Sequence, residues 1–447
     1  MLTFLAALAL QTPAPVADNA VWTQPELERV ANEIRAEVEE LRGMKFKGPV
    51  AVKLTDKAGF FEYARRRQAA TETPEKAYRD ETVAKLLGLI PASMDYQKEM
   101  LKILEEQVGG FYDPKSSTFY LMETFTGGVA KIILAHELTH ALDDQHFDID
   151  GTLAQCGDET DATLAYQAVV EGSGTGLMNQ WYMKHLSEIT PADLAAAQGL
   201  GAETLAKSPP YMWKPLLAVY LLGDSFLARS SGMNLTLKKA ALSDIQATFA
   251  APPKSTEQIL HSNKYWNADE RDDPIRITID TSALPEGWQV AGVDTLGELY
   301  LALLTTPPKK RKGLDVTSAL AVMGVNYTNA AAEGWGGDRC VLLRNGDDTM
   351  LQLVTAWDTA KDADEFAAAL GDPARPSSIP VFKGSGRDAE SGWIRGASAT
   401  QAVVTRELAA DGQTPLVVLR VFSLQAPATE KVIEQLKLPY SLAGDAR

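Results

Sequence analysis

Cysteine is nearly absent from this 447-residue chain: only Cys156 and Cys340 occur. Two thiols so far apart exclude a disulfide framework and a cysteine-based zinc knot, leaving at most one long-range pairing. Positive charge is also in short supply, with 43 Lys and Arg against 59 Asp and Glu and a net charge of -16. A nucleic-acid binder needs a basic face, so that class is disfavoured, and anionic membrane surfaces more weakly so. Solubility is the simpler meaning of the acidity. No internal run is long and apolar enough to span a bilayer: Tyr211 to Ala228 comes nearest, but Lys214, Pro215 and Asp224 interrupt it. It reads as a buried core helix. Internal repeats and low-complexity tracts are missing as well.

What is present is enough apolar material, 45% of residues, for more than one domain core. The first residues, MLTFLAALALQTPAPVADNA, have the apolar run and small-residue zone of a secretory signal peptide, without the basic start. Residues 1–17 are therefore expected to be a leader and the protein to be exported, with no cysteine behind the run to take a lipid.

Helical periodicity dominates the first two-thirds. Leu27, Val30, Ile34, Val38 and Leu41 share one face of a helix over Pro25 to Leu41. Val50 to Leu54 alternates like a strand, and further helices are expected over Lys57 to Arg67, Pro74 to Leu87 and Tyr96 to Glu106. In GGFYDPKSSTFYLMETF (Gly109 to Phe125) two aromatic runs flank Asp113-Pro114-Lys115-Ser116, which predicts a β-hairpin. The pattern shifts near Asp272. Beyond it come a strand (Ile275 to Asp280), an exposed basic connector (Pro307 to Lys312), and an alternation of strands and helices expected to form a separate α+β domain. The expected fold class is α+β, with a mainly helical domain over residues 18–271 carrying a small hairpin sheet and an accessory α+β domain over residues 272–447.

The chemistry concentrates in AHELTHALDDQH, Ala135 to His146. Residues four apart share a helix face, so His136 and His140 can direct their imidazoles at one metal ion. Glu137 is then placed to deprotonate a water whose pKa zinc has lowered towards ~7. An apolar helix after a strand and a glycine break is a context that accidental matches to HExxH lack.

A hydrolytic zinc site needs a third protein ligand, and two residues compete. His146 has the spacing of HExxHxxGxxH, but Asp143 stands where that pattern uses glycine to turn the chain. If the helix continues past Asp143, His146 rotates away. Glu171, in AVVEGSGTG, lies 31 residues after His140 and matches His2Glu zinc sites in which a following helix supplies a glutamate. The small residues Gly172 to Gly176 suit a helix pressed closely against the motif helix. Glu171 is favoured, with His146 the alternative.

HELTHALDDQHFD, the VVEG segment and GGFYDPKSSTFYL together resemble a group of uncharacterised, often exported bacterial proteins identified as zinc metallopeptidases of the gluzincin type. The likeness extends over about Leu27 to Trp266. It implies a zincin-like fold, one zinc ion and a protein or peptide substrate. In broader gluzincins an Asp four residues after the ligand Glu supports a ligand His; here Thr175 occupies that place, leaving Asp144 as a substitute.

An oxyanion donor is also required. His261, in STEQILHSNKYW, is the first candidate, followed by Tyr112 and Tyr120 of the hairpin; His185 reads as a surface residue. Phe119 to Glu123 is a candidate edge strand for pairing with extended substrate. The expected function is zinc-dependent peptide hydrolysis by an exported enzyme. Two alternatives remain: a non-catalytic zinc-containing binding module whose metal is closed by a fourth ligand such as His146, and a zinc hydrolase of a non-peptide amide or ester.

Overall fold

The computed structural model describes residues 2–4, 21–157, 159–190, 193, 202–230, 232–315, 319–371, 393–395, 400–425 and 429–443. Most of the leader-like segment lies outside these residues; Leu2–Phe4 forms a short strand. Among the described residues no helix is long and apolar enough to cross a membrane. Cys156 and Cys340 are both free thiols.

Helix α1 (Gln24–Arg42) starts at Thr23, where Thr23 and Glu26 satisfy each other's backbone in a capping box, and ends at Gly43 in the left-handed conformation. Strand β1 (Ala51–Thr55) follows, then α2 (Lys57–Thr71), α3 (Pro74–Leu86) and α4 (Tyr96–Gln107). The hairpin forms as expected from its turn, with β2 (Val108–Asp113) antiparallel to β3 (Thr118–Met122). Strand β1 adds to the far side of β3 in parallel, and Leu2–Phe4 pairs antiparallel with β2. FYLM is consequently an interior strand with neighbours on both sides, which removes it as an edge for substrate.

Against this sheet lies α5 (Gly127–Phe147), which carries the HELTH motif. Ile132, Ile133, Leu134, Leu138 and Leu142 of α5 share one core with Phe111, Phe119 and Leu121 of the hairpin and with Leu27, Ile34 and Val38 of α1. Apolar residues surround the helix, and it is accordingly buried on nearly every side. After the short α6 (Ile149–Gln155), the 25-residue α7 (Thr160–Lys184) runs beside α5. The segment with Pro215 is the predicted core helix, α8 (Pro210–Leu227), packed along the other side of α7. Two further helices, α9 (Leu242–Ala250) and α10 (Thr256–Leu260), close this part.

The C-terminal region is built on a six-stranded antiparallel sheet. Its strands are β4 (Gln289–Asp294), β5 (Trp335–Asn345), β6 (Asp348–Trp357), β7 (Trp393–Arg395), β8 (Thr400–Leu408) and β9 (Pro415–Ser423), in the spatial order β4-β5-β6-β9-β8-β7. One face is covered by α11 (Gly297–Thr305) and α12 (Ala360–Gly371). Val83, Leu86, Leu87 and Ile90, in and just beyond α3, enter the same core. The chain is thus α+β, and the expected division near residue 272 is bridged by shared apolar packing. Arg311 of the basic connector is not simply solvated: its guanidinium donates to the carbonyls of Leu303, Leu304 and Gly88 at 2.8–2.9 Å. It thereby ties the end of α11 to the loop after α3, a use of cationic side chains at helix C-termini.

The joint between α7 and α8 is made of backbone. A Cβ on Gly172 would lie 2.1 Å from the Gly223 carbonyl carbon, and one on Gly223 would lie 2.0 Å from the Ala168 oxygen. No rotamer relieves a clash with backbone, so the helices must separate. Gly172→Val should lower the unfolding free energy by about 3 kcal/mol or more, read from urea denaturation; an effect below ~1 kcal/mol would contradict this packing.

Candidate metal centre

Helix α5 directs both motif imidazoles inward. His136 Nε2 and His140 Nε2 are 2.8 Å apart, and Glu171 of α7 brings Oε2 to 3.1 Å from the first and 3.3 Å from the second. Three donors from two helices therefore form one small triangle. For comparison, neighbouring ligands on a tetrahedral zinc with bonds of 2.0–2.1 Å sit about 3.4 Å apart. The triangle is slightly tighter than that and has the size of a single coordination face.

Their protonation suits a cation. Burial lowers the His140 pKa to about 4, with His136 adding repulsion. Burial alone would raise Glu171, but the two imidazoles outweigh it and bring its pKa to about 2. At neutral pH His140 is a neutral imidazole and Glu171 a carboxylate, the forms in which these groups bind metal. The Nδ1 atoms of both histidines are buried and have no hydrogen-bond partner among the described residues.

Glu137 sits beside the triangle, fully buried. Its pKa is raised well above the carboxylate range, first by burial and then by the charge of Glu171. Both of its oxygens lack a hydrogen-bond partner among the described residues. The Tyr112 backbone N–H lies near enough to favour the charged form without reaching hydrogen-bond geometry.

Small residues on α7 permit the approach. A Cβ on Gly174 would sit 2.8 Å from Cε1 of both His136 and His140. Gly174 therefore faces the imidazoles, whereas Gly172 and Gly176 face α8. One turn along α5, Asp143 accepts from Arg42 Nη2 at 2.8 Å and from Ser173 Oγ at 2.6 Å. Arg42 Nη2 also donates to Ser173 Oγ at 2.6 Å. This buried triad ties α1, α5 and α7 together beside the triangle of donors. Burial opposes both charges, so each is retained because the other neutralises it.

Several expected residues lie elsewhere. Since α5 stays helical through Asp143, His146 is carried away from the triangle, and its Nε2 donates to the Lys45 carbonyl at 2.8 Å. Asp144 does not support an imidazole: it accepts from the Tyr112 hydroxyl at 3.2 Å and from the Ile149 N–H at 3.2 Å, anchoring the hairpin to the end of α5. The Tyr112 hydroxyl is thereby engaged away from the donors. Tyr120 stacks on Phe111 within the sheet, with ring centroids 4.9 Å apart. His261 ends α10 and bonds Glu298 Oε1 at 2.9 Å. Glu298 also accepts from the Thr328 hydroxyl. Burial works against the His261 charge, but Glu298 outweighs it and raises the pKa. His185 is not free on the surface, because it stacks on Trp181 and bonds Glu37 at 2.8 Å.

In place of His261 and the Tyr112 hydroxyl, the structure puts Tyr220 of α8 against the centre, its ring centroid 5.9 Å from that of His136. The sequence held one clue, since Gly223 one turn later marks where α8 meets α7. A second acidic group, Glu257, Asp272 and Asp358, surrounds Lys264 Nζ at 2.6–2.9 Å and is an ion-pair network rather than a metal site.

Residues 288–430 match the family described as a domain of unknown function (DUF8575). The match takes in all six strands of the large sheet and none of the residues of the triangle. No curated protein and no solved structure matches the chain.

Two outcomes follow from the helix contacts. Gly174→Ala should leave helix content unchanged, alanine being the better helix former. It should nonetheless weaken divalent-metal affinity at least about tenfold by displacing the imidazoles, as metal titration will show; unchanged affinity would contradict the close approach. Arg42→Met leaves the Asp143 carboxylate buried without its cation, at a cost of about 3–5 kcal/mol near neutral pH. The stranded carboxyl has a folded pKa above its unfolded value of about 3.9, so protonation relieves the penalty. The deficit relative to wild type should therefore shrink as pH falls towards about 4, in denaturant titrations at several pH values.

Proposed function

We propose that this protein is a zinc-dependent metallopeptidase with a zincin-like helical domain, in which His136, His140 and Glu171 hold one zinc ion and Glu137 is the general base. The observation that carries the reading is Glu137: a buried carboxylate with a raised pKa, both oxygens without a hydrogen-bond partner among the described residues, next to three donors of coordinating size. A structural metal site has no use for such a base. His146, the residue best spaced to close the site as a fourth ligand, is committed to the Lys45 carbonyl. That arrangement favours an open, catalytic centre over the binding-module alternative.

Bound in that triangle, zinc would supply Lewis acidity towards the substrate carbonyl and acidify a water. The remaining work falls to the chain. The neutral His140 imidazole and the ionised Glu171 need lose no proton at neutral pH before serving as donors. Glu137 takes the proton of the attacking water and passes it to the leaving nitrogen; burial, which raises its pKa, makes it a stronger base than an exposed carboxylate. Tyr220, whose ring stands against His136, is the candidate donor to oxygen as negative charge develops. Gly174 and the Arg42–Asp143–Ser173 triad keep the two helices in register.

We further propose, from the sequence pattern of residues 1–17, that this leader-like segment directs export of the protein.

The deciding comparison is wild type against Glu137→Gln on an unstructured protein such as casein, with metal content measured alongside. The variant should keep its zinc and lose about three orders of magnitude of activity; an equally active variant, or hydrolysis indifferent to chelation, would sink the reading. Glu171→Ala should release zinc, whereas His146→Ala should retain it. Zinc affinity should fall steeply as pH drops through about 4, where His140 takes up its proton, as metal titration at several pH values will show.

A further inference from the structure

Beside Glu171 the helices enclose a cavity of about 340 Å³, bounded by α2, α4, α6, α7 and α8. Leu101 and Leu104 of α4 and Leu216, Val219 and Tyr220 of α8 form much of its wall, and Glu171 lines it as well. Tyr220 belongs both to this wall and to the surroundings of His136. Its volume falls within the roughly 300–1,000 Å³ of small-molecule sites. A ligand held here would have an apolar body and would reach the metal donors at one end.

A second, larger cavity of about 900 Å³ continues from it, the two sharing Arg67, Glu72, Leu153 and Gln167. The outer cavity is the more polar of the two: Lys76, Asp80, Lys115, Asp150 and Asp294 line it and do not line the inner one. Space that is apolar next to the metal donors and polar farther out matches a polypeptide that buries one large side chain and leaves its flanking backbone hydrated.

We infer that the inner cavity is a side-chain pocket selecting a bulky aliphatic or aromatic residue of the substrate next to the scissile bond. The substrate class is unfolded polypeptide, because folded proteins bury such residues and withhold the extended chain around them. The inference rests on the metallopeptidase reading for its orientation to the scissile bond. The preference itself comes from apolar burial and requires no catalysis. Leu101, Leu104 and Leu216 are half-buried in the free protein, so an incoming side chain covers apolar surface still open to water.

The test uses full-length Glu137→Gln protein with the metal it carries, and fluorescently labelled heptapeptides differing only in a central Leu, Phe or Gly. Fluorescence anisotropy should show the Leu and Phe peptides binding about 10- to 100-fold more tightly than the Gly peptide. Filling the cavity with Leu216→Trp, or independently from α4 with Leu104→Trp, should collapse that ratio towards one. Thermal melts identify a variant that has unfolded, and the other then decides. Equal binding of the Leu and Gly peptides, or a ratio that survives a folded, filled cavity, overturns the inference. Wild-type protein that shows the binding preference but cleaves none of the peptides would refute the metallopeptidase reading and leave the pocket standing.

Discussion

The approach of α7 to α5 governs the rest of the structure. Glu171 can reach the two imidazoles only because Gly174 offers no side chain between the helices. The same face carries Ser173, which binds Asp143 and receives Arg42. One stretch of five residues therefore provides clearance, a polar tie and, immediately before it, a candidate metal donor. Gly172 and Gly176 provide corresponding clearance on the opposite side of α7 for α8. A glycine-rich run is poor helix material by itself, and here helix–helix packing on two sides supplies the stability that propensity withholds.

The C-terminal region acts on this arrangement from a distance. Asp294, at the end of β4, accepts from the Thr160 N–H and hydroxyl at 2.8 and 2.7 Å, capping the first turn of the helix that bears Glu171. Asp161 in turn accepts from the Thr256 N–H at 2.9 Å, joining α7 to α10. Asp338 of the large sheet caps the start of α11 through the Leu296 and Gly297 N–H groups at 2.8 and 2.7 Å. Each carboxylate is buried and satisfied by helix-end donors, so the sheet is attached to the helical part through directed bonds as well as apolar packing. The matched domain of unknown function is in this chain a structural neighbour of the helices that carry His136, His140 and Glu171.

Where expectation and structure parted, the cause was usually competition for a polar partner. His261 stood in a polar, turn-rich segment, but the nearest strong acceptor is Glu298, over 30 residues downstream and in contact only through tertiary folding. Tyr112 and Asp144 were each assigned to the metal centre, and they bond one another instead. Arg42 lies one residue past the helix expected over Pro25 to Leu41, and it is buried against Asp143. Asp143, which in the sequence is only an unfavourable turn residue, accepts from Arg42 and Ser173. No local pattern marks such pairs, because the partners lie 30 to 101 residues apart.

Local periodicity and turn chemistry were sufficient for the helices around Leu27, Ile34 and Val38, the hairpin about Asp113-Pro114, the two strands flanking Asn345-Gly346, and the α+β class. The four-residue step from His136 to His140 likewise follows from helix geometry alone, as does the placing of Glu137 beside it. The sequence by itself determined what each segment is and which side chains a single helix can aim together. Only tertiary structure decided which distant residue completes the triangle, that His146 leaves it for the Lys45 carbonyl, and that Tyr220 rather than His261 stands against His136. The physical reason is that clearance between helices and the pairing of buried charges belong to two surfaces at once, and a linear pattern describes only one of them.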